Sequence, residues 1–222
     1  MDNHRPIEIE TAGNPDASVI VLHGLGASGD DFVPVCEQLD LTPVGAVRYV
    51  LPHAPMRPVT INNGYVMPAW YDILALGGQG REDESGLRAS QALIEELIAR
   101  EVARGVASGR IVLAGFSQGC AMTLLTGLRH HERLAGLVGM SGYLPLAGTT
   151  AAERAPANHG IPIFLAHGRY DPMIPLPRAQ ASRDALRALG YDVQWHEYAM
   201  EHSVCMEEIA DLQQFLRQVL AR

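Results

Sequence analysis

The chain lacks the features that would tie it to a membrane, a nucleic acid, a disulfide framework or a metal. No apolar run in its 222 residues reaches the roughly 20 residues of a membrane span, so no stable membrane insertion is expected. The opening Met1-Asp2-Asn3-His4-Arg5-Pro6 has neither the basic n-region nor the apolar core of a signal peptide. Its 17 basic residues are outnumbered by 25 acidic ones, for a net charge of -8, and they form no cluster. Phosphate binding needs a concentrated basic face, which excludes a nucleic-acid partner. Cys36, Cys120 and Cys205 are odd in number and have no C-x-x-C spacing. They read as buried, reduced thiols of a cytoplasmic protein. There is no H-E-x-x-H, no Cys/His cluster at ligand spacing and no Walker A motif, and Gly24-Leu25-Gly26 is only a fragment of a dinucleotide fingerprint. Neither a metal nor a cofactor is expected.

Hydrophobic residues make up 47% of the chain, enough to cover a large sheet on both faces, and the length fits one domain spanning residues 1–222. Ser18–Leu22 is a continuous apolar run, the pattern of a strand buried on both sides. Strands are expected also at Ile7–Glu10 (an edge), Val47–Leu51, Arg110–Phe116, Leu134–Met140, Pro162–Ala166 and Val193–Tyr198. Helical periodicity marks Asp31–Leu39, Glu84–Ala107, the segment after Ser117, Pro177–Leu189 and Val204–Leu220. Strands alternating with helices predict an α/β fold with a mostly parallel central sheet and helices on both faces. Pro52 to Asp83 breaks the rhythm, with Asn62-Asn63-Gly64, Trp70-Tyr71 and Gly77-Gly78 along it. So long a connection serves as a binding wall or as a plug for the core edge, and the pattern leaves both uses open.

Chemistry enters at Gly115-Phe116-Ser117-Gln118-Gly119. This is G-x-S-x-G between a strand and a helix, where a sharp turn lifts the serine above the sheet at the positive end of the helix. A serine hydroxyl needs a base oriented by a carboxylate, and in this motif the acid and then the histidine follow in the chain. Open α/β sheets place reactive groups at the carboxyl ends of strands. Asp171 meets that rule in the loop after Pro162–Ala166, held out of helical geometry by Pro172. Among nine histidines, His202 meets both position and order, whereas His196 lies within a strand and His53 precedes the serine. The backbone N–H groups of Gln118 and Leu25 are the candidate oxyanion donors. Both roles belong to the main chain, so the Leu25 and Gln118 side chains could vary without abolishing them. His23 reads as holding the Leu25 loop by hydrogen bonds, not as a second base.

These elements resemble the phospholipase/carboxylesterase family of α/β-hydrolases. The resemblance covers His23-Gly24-Leu25-Gly26, Asp31-Phe32, Pro52-His53-Ala54-Pro55, Ala69-Trp70-Tyr71-Asp72-Ile73, the Ser117 motif, Ser141-Gly142-Tyr143-Leu144-Pro145, His167-Gly168 with Asp171, and His202-Ser203-Val204. It implies the α/β-hydrolase fold, Ser117, Asp171 and His202 as the triad, Leu25 and Gln118 as oxyanion donors, a small-molecule ester or acyl substrate, and a dimer. One departure is Ala27, where many members carry an aspartate. Members have little lid and suit short to medium acyl chains. The Met56–Leu76 segment, and Trp70, Leu74 and Met173 in particular, are the candidate acyl-binding wall. The leading expectation is a serine carboxylesterase acting through an acyl-enzyme. An acyl-protein thioesterase or lysophospholipase would use the same triad, and a catalytically silent binding module is the alternative of another class.

Overall fold

Strand β2 (Ala17–Leu22) is buried along its whole length, because its β-branched residues alternate between two helical layers. Val19 and Val21 face one layer, Ile20 and Leu22 the other. The same alternation holds in β6 (Ile111–Phe116) and β8 (Ile163–Gly168). With β1 (Ile7–Glu10), β3 (Val47–Leu51), β7 (Gly136–Met140) and β9 (Val193–Tyr198), they form a sheet of order β1-β3-β2-β6-β7-β8-β9. Only the edge strand β1 runs antiparallel to its neighbour. The computed structural model describes residues 5–75 and 82–221, so Leu76, Gly77 and Gly78 of the long connection lie outside the described residues.

Helices α2 (Glu84–Ala103), α3 (Gln118–Arg129) and α5 (Leu176–Ala188) cover one face of the sheet through Leu87, Ile94, Leu124 and Leu186. On the other face lie α1 (Val33–Gln38) and α6 (Met206–Val219), with Cys36, Leu212 and Phe215 against the sheet. The short α4 (Ala147–Glu153) follows β7. Three helices are shorter than their periodicity suggests, α6 running only from Met206 to Val219. Gly105 takes a φ of 98° just past the end of α2, a conformation suited to a helix stop. Pro34 lies in the first turn of α1, so Gly29–Phe32 forms a 3-10 turn ahead of it.

The connection between β3 and α2 has structure of its own. Met56–Val59 (β4) and Tyr65–Pro68 (β5) pair as an antiparallel hairpin. Its turn uses Asn63 and Gly64 at φ of 55° and 75°, the left-handed values that Asn and Gly accept. Beyond the hairpin the chain is pinned to the body of the molecule. The Trp70 N–H donates to Gln118 Oε1 at 3.0 Å, and Gln118 Nε2 donates to the Tyr71 carbonyl at 2.9 Å. Trp70 Nε1 donates to the His23 carbonyl at 2.8 Å, and the Ser90 hydroxyl donates to the Trp70 carbonyl.

Two expectations follow. Gln118→Ala strands two buried backbone groups, at about 1–3 kcal/mol each. In a domain of this size that lowers Tm by roughly 5–15 °C; a thermal melt shifted by less than about 2 °C would show that the clamp contributes nothing. The second concerns Glu208, fully buried in the first turn of α6, whose carboxyl oxygens have no hydrogen-bond partner among the described residues. Burial pushes its pKa to about 8, opposed weakly by the nearby Cys205 backbone. Below the ordinary carboxylate range both folded and unfolded chains hold this proton. As pH rises toward 8 only the unfolded chain releases it, so stability falls over that window. Glu208→Gln abolishes this loss, so its Tm relative to the wild type should be more favourable at pH 8 than at pH 5. An equal difference at the two pH values would contradict the assignment.

Candidate active site

The turn from β6 into α3 is set by two close approaches. A Cβ on Gly115 would fall on the Gly119 carbonyl, and a Cβ on Gly119 would fall on the Leu22 carbonyl of β2. Only glycine lets the helix start so near the sheet. Ser117, between them, is forced to φ 57° and ψ -116°, values a side-chain-bearing residue seldom adopts. Its N–H is anchored on the Met140 carbonyl at 2.9 Å. The hydroxyl therefore projects past the carboxyl ends of the parallel strands, beside the N-terminus of α3.

Asp171 follows β8 and His202 follows β9, at the same edge of the sheet. Ser117 Oγ lies 2.9 Å from His202 Nε2, and His202 Nδ1 lies 2.7 Å from Asp171 Oδ2. With Nδ1–H donating to the carboxylate, Nε2 is left to accept the serine proton. The other Asp171 oxygen accepts the N–H groups of Met173 and Ile174 at 2.8 and 2.9 Å. The His202 ring also packs against Phe116, with centroids 4.7 Å apart. The structure thus brings Ser117, Asp171 and His202, chosen on chain order, into one relay.

Leu25 and Gln118 line the same pocket as Ser117. The Gln118 N–H begins α3 and has no carbonyl of its own helix behind it. No described residue accepts a hydrogen bond from the Leu25 N–H. The Leu25 loop is held by His23, whose Nδ1–H donates to the Gly24 carbonyl at 2.7 Å while Nε2 accepts the Ala54 N–H at 2.9 Å. Burial holds this imidazole below its usual pKa, hence neutral, in keeping with a supporting role. Gly26 N–H donates to the Pro68 carbonyl, and Ser28 N–H to Asp31 Oδ2 at 2.7 Å. These contacts fix the loop without an acidic residue at position 27.

Other sequence expectations need correction. The Gln118 side chain carries a second role beside that of its N–H, as the clamp on Trp70 and Tyr71. Trp70 does not form a pocket wall: it is 1% exposed, and its indole is used up against the His23 carbonyl. Leu74 points largely to solvent at 41% exposure and is absent from the pocket lining. Met173 does line the pocket, together with Tyr71, Ile73 and Ala75 from the long connection. That connection is therefore plug and wall at once, Trp70 filling the core and its successors facing the cavity. The cavity has a volume of about 350 Å³, within the range of small-molecule sites, and its surface is mainly apolar. Cys120, one helical turn from Ser117, is a buried thiol raised to about 12 and no rival nucleophile. At the far end of α3, Glu95, His130 and His131 bring ligand-type atoms within 4.8 Å of one another. They come from two separate segments, which no linear spacing motif reveals.

Comparison with known proteins identifies the family and the fold. The sequence pattern of the phospholipase/carboxylesterase family matches residues 4–220. The chain is 39% identical to acyl-protein thioesterase 1 of Gibberella zeae over 97% of its own length and 95% of that protein's. It is 42% identical to the protein of the same name from Mycosarcoma maydis, covering 93% and 92%. Among solved structures, acyl-protein thioesterase 2 of Zea mays superposes with a TM-score of 0.88 at 29% identity, covering 98% of this chain and 100% of that one. The chain has the α/β-hydrolase fold and belongs to the phospholipase/carboxylesterase family of hydrolases.

Proposed function

We propose that this protein is a serine hydrolase that cleaves carboxylic esters and thioesters through an acyl-enzyme. The observation that carries the reading is the Ser117–His202–Asp171 relay, opening into an apolar pocket. His202 takes the Ser117 proton as the hydroxyl attacks the acyl carbonyl, and the Leu25 and Gln118 N–H groups receive the oxyanion. Collapse of the tetrahedral intermediate expels the alcohol or thiol, with His202 donating the proton. Water then repeats the sequence on the acyl-enzyme. Asp171 orients His202 and stabilises the imidazolium, and its two backbone donors keep it in place.

The triad does not distinguish oxygen from sulfur esters, since both present the same carbonyl. The expectation of a short-chain carboxylesterase is therefore too narrow: the relatives named acyl-protein thioesterase favour including thioesters. A pocket of about 350 Å³ supports short to medium acyl groups.

Two measurements test the reading. Ser117→Ala should abolish fluorophosphonate labelling and lower kcat on a p-nitrophenyl ester by roughly a million-fold. A folded wild-type protein that neither labels nor hydrolyses would instead be a silent binding module. Comparing kcat/KM from acetyl to palmitoyl, on matched oxygen and sulfur esters, should show turnover of both classes with an optimum below palmitoyl. Hydrolysis of oxygen esters alone would remove the thioesterase half of the proposal.

A further inference from the structure

Arg178 is a cation on the wall of an otherwise mainly apolar pocket, engaged by the Tyr143 side chain but by no acidic group among the described residues. Its Cζ lies 3.4 Å from the centroid of the Tyr143 ring, so the guanidinium lies over the ring face, which restricts where its planar fork of donors can reach. No carboxylate or carbonyl of the described residues takes those N–H groups. The contrast with other arginines is informative. Arg133, Arg154 and Arg187 also lack a carboxylate partner, yet each donates to a backbone carbonyl. Nor is acid scarce, in a chain with 25 acidic residues. The other charged groups on the lining are committed, Asp31 to the Ser28 N–H and His202 to the triad.

Two further observations point the same way. Arg178 is the third residue of α5, in a first turn with no acidic residue, where the helix dipole disfavours a cation. A local rule is broken there with no partner to compensate. Beneath the guanidinium, Tyr143 and Tyr71 share a hydroxyl–hydroxyl bond of 2.8 Å. One proton makes that bond, which leaves the second hydroxyl proton without an acceptor among the described residues. A planar fork of donors and a spare hydroxyl donor thus meet on one side of the cavity. Together they form a receptor for an oxyanion.

We infer that the Arg178–Tyr143–Tyr71 corner binds an anionic group, a carboxylate or phosphate, carried by the substrate, so that the enzyme selects esters bearing a negative charge. This rests on the hydrolase reading above for the word substrate, but the anion site itself does not.

The test uses paired compounds in the wild type, Arg178→Gln and Arg178→Lys. The first arm compares the p-nitrophenyl hemiester of glutaric acid with p-nitrophenyl valerate, placing the charge on the acyl side. The second compares butyryl glycerol phosphate with butyryl glycerol, placing it on the leaving group. Within each protein the quantity read is the anionic-to-neutral ratio of kcat/KM, which cancels general damage to the fold. In at least one arm that ratio should fall about tenfold to a hundredfold in Arg178→Gln, the range of a hydrogen bond to a charged group. Arg178→Lys should restore part of it. The arm that responds identifies which end of the substrate carries the charge. Ratios unchanged in both arms would overturn the inference. A third measurement needs no turnover: calorimetric binding of N-ethylglutaramate against neutral N-ethylvaleramide. Arg178-dependent preference for the anion in a protein that hydrolyses nothing would retain the subsite and discard the hydrolase reading. Equal binding of the two amides in an inactive protein would discard both.

Discussion

The contact on which the rest of the structure depends is the approach of α3 to the sheet through Gly115 and Gly119. Because a Cβ at either position would strike backbone, the strand β6 can turn straight into the helix. That turn imposes the left-handed φ of Ser117, a strain costing on the order of 1–3 kcal/mol, and the burial of α3 between sheet and α2 over-determines it. What the fold obtains is a hydroxyl raised clear of the strands and a helix N-terminus with unspent donors beside it. His202 and Asp171 need only arrive at the ends of neighbouring strands to complete the relay. Position in a parallel sheet does the aligning.

A second constraint couples this turn to the pocket. Gln118 gives its backbone N–H to the proposed oxyanion site and its side chain to the Trp70–Tyr71 backbone. Trp70 in turn reaches the His23 carbonyl, in the loop that presents Leu25. The two proposed oxyanion donors, which come from distant parts of the chain, are thereby linked through one buried tryptophan. Tyr71, next to that tryptophan, is held at the cavity wall by the same bonds. Catalytic geometry and pocket shape share a single set of hydrogen bonds, so a change at Trp70 or Gln118 acts on both.

How legible this was in the sequence depends on the range of the forces involved. The β-branched runs and their alternation report burial directly, so the parallel sheet and its helices could be read within a few residues of their true ends. Ser117, Asp171 and His202 could be found because strand order turns a three-dimensional requirement into a one-dimensional one. The hairpin Met56–Val59 with Tyr65–Pro68 was hidden: its strands are short, half-exposed and carry Pro58 and Pro68, although Asn63-Gly64 did mark its turn. Trp70 was misread as a wall residue because aromatic character alone does not say which side of a loop faces the core. The second role of Gln118 was invisible, since its partners lie 47 and 48 positions away. The place of Arg178 is hidden for the same reason, because an arginine in a helical stretch resembles any solvated face until the fold sets it over Tyr143 at the pocket.

The division of labour that results has a physical logic. The relay and the oxyanion donors sit at the ends of buried strands and on a helix locked by glycine packing, where displacement would disturb the whole core. The other groups that line the pocket come from elsewhere: Tyr71, Ile73 and Ala75 from the long connection, Met173 from the loop before α5 and Arg178 from the first turn of that helix. These segments make few ladder hydrogen bonds, and replacing their exposed atoms leaves the sheet intact. A fold built this way can keep one acyl-transfer apparatus while the residues at its rim set chain length and charge preference. In this chain the rim carries a guanidinium with no acidic partner among the described residues, and the proposed preference for charged substrates rests on that position and not on the triad.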